Sequence, residues 1–166
     1  MSHEDTILAS VLQLYVERIL SLKEGLLSAI QYGSTARGTL KHETDIDLLL
    51  IFQTLPPGRM QRSQLLEEIE SQCMGELCRL LPKDFNLCFS SKLKTVDESQ
   101  RFSLLYLDMV DRSRILYDPQ GLAAALLAKT RDWIQRSGAY RVEKGLKWYW
   151  VLGKDVTWKQ ESTVGW

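Results

Sequence analysis

Apolar residues recur at three- and four-residue spacing near the start of the chain, the pattern of an amphipathic helix. They are Ile7, Leu8, Val11, Leu12, Tyr15, Ile19 and Leu22. The same spacing over residues 65–81, with glutamates between the apolar positions, predicts another helix. Residues 101–110 and the alanine- and leucine-rich stretch 121–136 are also predicted to be helical.

Short apolar runs between these stretches predict strands. Residues 27–32 and 85–90 fit strands, 114–117 form a short apolar segment, and 45–52 are apolar enough for a strand covered on both faces. The order helix, strand, strand, helix, strand, helix is that of an α/β or α+β fold with a small mixed β-sheet flanked by helices.

We expect one compact unit, because 166 residues leave little room for a second domain. Within it, residues 1–117 form the predicted core. Residues 118–166 form a C-terminal helical and aromatic extension packed on that core. The aromatic stretch 140–166 fits no regular periodicity.

Charge and cysteine content exclude several classes of protein. Twenty-one basic residues balance 21 acidic ones, whereas a sequence-indifferent nucleic-acid binder carries a basic excess. A local basic patch around a phosphate stays possible. The three cysteines, Cys73, Cys78 and Cys88, have no CxxC or CxxH pairing, so we expect buried apolar residues rather than disulfides or a zinc site.

The chain also has no run of about 18 uncharged apolar residues, so we expect no transmembrane helix. It starts with the polar, acidic stretch MSHEDT, which is unlike a signal peptide. We therefore expect a cytoplasmic protein that does not engage a membrane.

The stretch GSTARG, residues 33–38, follows a predicted strand and has the chemistry of a phosphate-binding turn. Gly33 allows the backbone to approach a phosphate closely. Ser34 is a favourable N-cap residue and offers a hydroxyl to phosphate oxygens. Arg37, three residues later, can supply a charged fork to the same group. These three residues are the predicted nucleotide-phosphate ligands.

Asp45 and Asp47 lie two residues apart at the start of the next predicted strand. Residues at this spacing project from the same face of a strand, with Cα atoms roughly 6.5–7 Å apart. Two carboxylates so placed can bracket a hard divalent cation such as Mg²⁺. Beside a phosphate-binding turn, they predict nucleotidyl or phosphoryl transfer, in which the metal neutralises the triphosphate.

The segment 27–52, with GSTARG followed by TDIDLLLIF, resembles the minimal nucleotidyltransferases of the DNA polymerase beta superfamily. The hallmark of that group is a GS-x-x-R-G turn, then a serine or threonine and D-x-D on the next strand. The resemblance implies the nucleotidyltransferase fold, with Gly33 and Ser34 on the nucleotide phosphates, Asp45 and Asp47 on the metal ions, and Arg37 on phosphate or bracing the loop.

Active members of that group add a third carboxylate on a later strand. Here the corresponding strand is FNLCF, and the expected position holds Asn86. Asparagine can ligate a metal through its carbonyl but cannot take a proton. Asp84, two residues earlier, is an alternative if the register shifts. Asn86 therefore joins Asp45 and Asp47 as the third expected catalytic residue.

The resemblance implies transfer of a nucleoside monophosphate, with AMP favoured, from an NTP to an acceptor hydroxyl with Mg²⁺ or Mn²⁺ as cofactor. ATP is the favoured donor, and pyrophosphate is released. The acceptor is open: a small molecule, a protein or an RNA end. The alternative is a weak or inactive nucleotide-binding module, such as the antitoxin-like partner of a helical ribonuclease. A homodimer or a small helical partner protein is compatible with either hypothesis.

Other residues near the motif have simpler explanations. Lys41, His42 and Glu43 are expected to be loop residues. The aromatic residues of the tail are expected to pack a core or an interface, with stacking on a base as the alternative. They are Trp148, Tyr149, Trp150 and Trp158.

Overall fold

The computed structural model describes residues 2–22, 25–38, 40–144 and 147–153. Its helices are α1 (His3–Leu22), α2 (Arg59–Gln64), α3 (Glu67–Leu80), α4 (Val96–Ser99), α5 (Leu104–Arg112) and α6 (Leu122–Ser137). Its strands are β1 (Leu26–Tyr32), β2 (Glu43–Phe52), β3 (Asn86–Thr95), β4 (Arg114–Tyr117), β5 (Tyr140–Lys144) and β6 (Lys147–Val151). Trp158 lies outside the described residues.

Four strands form a mixed sheet in the order β3-β2-β1-β4. β1 is antiparallel to both β2 and β4, whereas β2 and β3 are parallel along their whole length. Such a parallel pair needs a crossover connection, which α2 and α3 supply. The fold is therefore mixed α/β, a four-stranded sheet flanked by helices, as predicted.

Each face of the sheet carries its own apolar cluster. On one face, even-numbered residues of β2 such as Ile46 and Leu48 pack with Leu12 of α1 and Leu77 of α3. On the other face, odd-numbered residues of β2 and even-numbered residues of β1 pack against α5 and α6. Members of this second cluster include Ile30, Tyr32, Leu49, Ile51, Tyr106, Met109, Ala123, Leu126 and Leu127. β2 is thus covered on both faces, as its composition predicts.

Several local predictions differ from the structure. The expectation that all three cysteines are buried is wrong for Cys78 and Cys88, which are exposed, and right for Cys73. α2, α4 and the β5–β6 hairpin were not predicted, and β3 extends to Thr95 rather than residue 90. Within the part of the chain that the structure describes, β3 pairs with no strand other than β2, so it forms an edge whose alternate residues need not be apolar. No helix among the described residues is long and apolar enough to cross a membrane.

Candidate functional site

The turn after β1 brings the backbone against an acidic side chain of β2. Gly33 has φ +75°, a conformation that L side chains rarely adopt. A Cβ at this position would overlap the Asp47 carboxylate, lying 3.1 Å from its Cγ. The pairing of Tyr32 with Asp47 at the end of β1 explains this contact. Glycine is therefore required here both by backbone conformation and by space.

Asp45 and Asp47 lie on the face of β2 that is covered further along by α5 and α6. Asp45 Oδ1 accepts a hydrogen bond from Cys88 Sγ at 2.8 Å. Asp47 is paired across the sheet with Ser90, whose side chain donates to it. Neither carboxylate forms an ion pair within the described part of the chain. The pair therefore carries negative charge with no cation in direct contact among the described residues.

The surroundings of Asp47 raise the pKa of its carboxyl above the ordinary value of 3.8. Burial is the largest cause, because it disfavours the charged form, and repulsion from Asp45 adds to it. The Ser90 hydrogen bond and the charge of Lys92 act in the opposite direction without cancelling the shift. Burial, and secondarily the charge of Asp47, also raises the pKa of Tyr32.

Ser34 differs from its expected role as a helix N-cap. The segment after it, Thr35–Arg37, is a single 3-10 turn, and the Ser34 side chain makes no capping hydrogen bond. Its hydroxyl instead lies 2.8 Å from Oγ1 of Thr44, which is the residue before Asp45. This bond ties the turn of residues 33–38 to the acidic strand. It leaves the Ser34 oxygen with capacity for another partner, since a hydroxyl both donates and accepts.

Arg37 projects toward the C-terminal hairpin. Its guanidinium carbon lies 4.7 Å from the centre of the Trp148 ring, which Arg141 also approaches, at 5.0 Å. Nε of Arg37 is buried and has no hydrogen-bond partner among the residues that the structure describes. The indole N–H groups of Trp148 and Trp150 both donate to Asp108 Oδ1 of α5 at 3.0 Å. The hairpin, held on α5, thus fixes one side of Arg37 through cation–π contact.

Asn86 does not lie opposite the acidic pair. The parallel register places Asn86 opposite Glu43, whereas Cys88 faces Asp45. Asn86 is exposed and shares with Asp45 and Cys88 an open cavity of about 390 Å³. β3 contains no aspartate or glutamate at any position.

The residues just before β2 and β3 interact with each other rather than with the acidic pair. Asp84 lies on the loop before β3, where its carboxylate pairs with Nδ1 of His42 at 2.8 Å, and both side chains are exposed. The His42 ring also lies against Phe85, with ring centres 4.8 Å apart. His42 and Asp84 therefore form a small surface cluster at this end of the sheet.

The donor set at the acidic pair fits a hard divalent cation that also binds substrate. Within the described ranges, no group of three or more His, Cys, Asp and Glu side chains is arranged to hold a metal ion. Mg²⁺ is commonly held by one or two carboxylates plus phosphate oxygens and water, rather than by a complete protein cage. Asp45 and Asp47 would supply that protein part.

The sequence pattern does not predict which side chains contact the predicted site residues. Ser34 of the turn contacts Thr44 of β2. The acidic pair contacts Ser90 and Cys88 of β3. Arg37 contacts Trp148 of the hairpin, which is held in turn by Asp108 of α5. The motif itself points to Thr44, since a serine or threonine precedes D-x-D in the group that the sequence resembles. The others depend on strand register and on the hairpin, which the sequence pattern does not reveal.

The four-stranded mixed sheet, with a glycine turn against Asp47 and Asp45 two residues before it, is the arrangement of a nucleotidyltransferase fold. A model of the nucleotidyltransferase domain matches residues 14–100, more than half of the chain. The chain therefore belongs to the nucleotidyltransferase domain family.

Individual relatives are more distant or match over short stretches. A putative protein adenylyltransferase of Methanocaldococcus jannaschii is 44% identical over 46 residues, which are 28% of this chain and 31% of that protein. The match thus spans about a third of that relative's length.

Among solved structures, similar chains are found at low identity. A crystal structure of a toxin–antitoxin pair with AMP-PNP has a TM-score of 0.51 and 15% identity, over 75% of this chain and 87% of that one. The tri-AMPylated Shewanella oneidensis HEPN toxin in complex with MNT antitoxin gives a TM-score of 0.45 and 16% identity, over 75% of this chain and 87% of the matched chain.

Proposed function

We propose that this protein transfers a nucleoside monophosphate, AMP in preference, from an NTP to an acceptor hydroxyl and releases pyrophosphate. The observation that carries the proposal is the contact between Gly33 and Asp47, where a Cβ would overlap the carboxylate. It brings a turn suited to phosphate within contact distance of a carboxylate suited to a metal ion. Membership of the nucleotidyltransferase family and the similarity to a putative protein adenylyltransferase support it.

Each residue of the site has a proposed role. The backbone at Gly33 and the hydroxyl of Ser34 hold the triphosphate, and Arg37, fixed against Trp148, adds positive charge beside it. Asp45 and Asp47 hold one or two Mg²⁺ or Mn²⁺ ions. A metal bound there supplies positive charge to the triphosphate and to the leaving pyrophosphate. Asn86 contributes an amide at the rim of the cavity that it shares with Asp45.

In the proposed reaction, the acceptor oxygen attacks the α-phosphorus and forms a new P–O bond. The bond from that phosphorus to the bridging oxygen breaks, and pyrophosphate leaves with its electron pair. The acceptor proton passes to water, because β3 has no carboxylate to receive it and the Asn86 amide is not a base. The acceptor is therefore activated mainly by position and charge.

The test is calorimetric titration of ATP, GTP, CTP and UTP with and without Mg²⁺. We expect Mg²⁺-dependent binding of one nucleotide, with ATP preferred. Asp47→Asn removes one metal ligand and should abolish that binding. Gly33→Ala keeps both carboxylates but displaces Asp47, so it should abolish binding as well. The matched control is Asp132→Asn, on the exposed surface of α6, which should bind as the wild type does.

Unaltered Mg²⁺-dependent binding in Asp47→Asn would show that the site assignment is wrong. Failure of all four nucleotides to bind the wild-type protein would refute the proposal itself.

The second candidate function is a regulatory module that binds nucleotide without transferring it, as a partner of a helical ribonuclease. The absence of a carboxylate along β3 favours it. Radiolabelled NTP incubated with the purified protein and a candidate partner separates the two candidates. Label incorporated into the partner supports transfer, whereas nucleotide binding without incorporation supports the regulatory module.

A further inference from the structure

The direction from which an acceptor must approach follows from the proposed function, on which this inference rests. Phosphoryl groups are transferred with the attacking and leaving oxygens roughly in line. The turn that would hold the pyrophosphate portion lies on the β1 side of Asp47, since Gly33 follows β1. The acceptor would then enter from the opposite side, which is the side of β3.

β3 carries basic residues on the same face as the acidic pair. Ser90 pairs with Asp47 across the sheet, and Lys92 and Lys94 follow at two-residue intervals, so all three project from one face. The charge of Lys92 is near enough to lower the pKa of Asp47. The Lys94 ammonium lies 4.9 Å from the centre of the Tyr106 ring, in the apolar cluster beneath α5. A basic row therefore leads away from the acidic pair along the sheet edge.

This row forms one wall of a groove of about 430 Å³, which we call the β3 groove. Its lining comprises Pro57, Arg59, Arg62, Ser63, Ser91, Lys92, Leu93, Lys94, Glu98 and Leu105. The opposite wall is fixed by Arg62, which pairs with both oxygens of Glu98 at 2.8 and 2.9 Å and donates to the Pro56 carbonyl at 2.6 Å. Hydrogen bonds thus hold this wall of the groove in a defined position.

The groove carries net positive charge. The Arg62–Glu98 pair is neutral overall, whereas Arg59, Lys92 and Lys94 form no ion pair within the described ranges. Burial lowers the pKa of Lys94, which reflects the cost of holding that charge partly out of water. An anionic occupant would offset this cost. Charge complementarity therefore selects an acidic ligand.

The shape and composition of the groove favour a peptide over a nucleic acid. Among the described strands, β3 pairs with β2 alone, so its other edge can pair with an extended chain. Leu105, which packs against the second apolar cluster, gives an apolar contact beside the cations. The whole chain is electrically neutral, which does not suit a surface that tracks phosphates.

We propose that the β3 groove binds an acidic, extended segment of a protein acceptor. The hydroxyl to be modified then lies beside Asp45 and Asp47, on the side away from the phosphate-binding turn. The acceptor is thereby a protein with acidic residues close to the modified hydroxyl.

The test uses fluorescence anisotropy with three labelled probes: a hexaglutamate peptide, a hexaglutamine peptide and a hexa-adenylate RNA. We expect the wild-type protein to bind hexaglutamate in preference to both others. Lys92→Glu and Arg59→Glu should each weaken that binding about tenfold or more, because each reverses a charge that faces the probe. Lys83→Glu is the matched charge reversal on an exposed residue outside the groove, and it should leave binding unchanged.

Three outcomes would overturn the proposal: no hexaglutamate binding, equal weakening by Lys83→Glu, or tighter binding of the RNA that the groove variants abolish. The last would assign the groove to nucleic acid. Calorimetry with ATP and Mg²⁺ on the wild-type protein tests the nucleotide site separately. Hexaglutamate binding in the groove without nucleotide binding would support the groove and refute the proposed transfer.

Discussion

Asp47 and Asp118 show how surroundings decide what the same carboxyl group does. Burial, with the charge of Asp45 adding to it, raises the pKa of Asp47. Burial would also raise that of Asp118, but hydrogen bonds from Ser28 and from backbone amides at the start of α6 outweigh it, and the pKa is lowered. Hydrogen bonds thus stabilise the charged form of Asp118, whereas the charged form of Asp47 would be stabilised by a bound cation.

Asp118 should contribute stability that disappears in acid. Its oxygens accept hydrogen bonds from the amides of Ala123 and Ala124, each at 3.0 Å, so it serves α6 as an N-cap does. We expect Asp118→Ala to lower the free energy of unfolding by about 2 kcal/mol near neutral pH.

The pH dependence of this effect has a definite sign. The folded pKa is depressed, so the stabilisation is present above the ordinary carboxyl pKa of the unfolded chain, 3.8, and is lost as pH falls through the folded value. Urea denaturation of both proteins over a pH series measures it. A stability difference that stays constant through acid pH would contradict this account.

At this scale the sequence singles out the turn of residues 33–38 and the acidic pair as candidate site residues, because their spacing is local. It does not identify Ser90 and Cys88 as their neighbours. Which residue of β3 faces Asp47 is decided by the register of a parallel pair whose strands are separated by two helices. A shift by two residues would bring another polar side chain to the same place, so composition alone does not distinguish the registers.

Among the elements, the β5–β6 hairpin brings the C-terminal part of the chain into contact with Arg37, in the turn of residues 33–38. Trp148 contacts Arg37 and is itself held by Asp108, so the position of the guanidinium depends on a hydrogen bond to α5. The periodicity of residues 140–151 did not predict this hairpin. β5 (YRVEK) alternates over five residues only, and β6 (KWYWV) is aromatic or apolar at every position after Lys147, so the two strands share no common pattern.

Removing the Asp108 carboxylate should therefore weaken the proposed nucleotide binding indirectly, through Trp148 and Arg37. In Asp108→Ala, Trp148 and Trp150 lose their shared acceptor and Arg37 loses its fixed support. We expect nucleotide affinity to fall several-fold, and tryptophan emission to shift to longer wavelength as the indole rings gain water contact. Calorimetry and fluorescence measure the two effects. Asp111→Ala, an exposed aspartate on the same helix, is the control, and identical behaviour of both variants would refute the coupling.

For the whole molecule, α6 shares a buried cluster with the central strands. Ala123, Leu126 and Leu127 pack against Ile30 and Leu49. Burying a leucine side chain contributes roughly 1.5–3 kcal/mol, and the net stability of a domain is only about 5–15 kcal/mol. Loss of α6 therefore removes stabilisation comparable with the whole net value.

We expect a chain ending at Tyr117 not to fold cooperatively. A chain ending at Gly138 keeps α6 and its cluster, so it should fold while lacking the hairpin that supports Arg37. Thermal unfolding followed by circular dichroism compares the two. A cooperative transition in the shorter chain would show that residues 1–117 are stable alone.

The pairing of β1 with β4 also bears on how the chain folds. β1 is a central strand, and Ile30 on it pairs with Ile115, so the sheet is not complete until most of the chain is available. At a synthesis rate of ~5–20 residues per second, β4 leaves the ribosome several seconds or more after β1. During that interval the apolar face of β1 and β2 is uncovered, although the turn of residues 33–38 and the acidic pair have already been synthesised. Contacts of such large sequence separation slow folding, so the nascent chain exposes an apolar sheet surface, to which a chaperone can bind, before the proposed nucleotide site is complete.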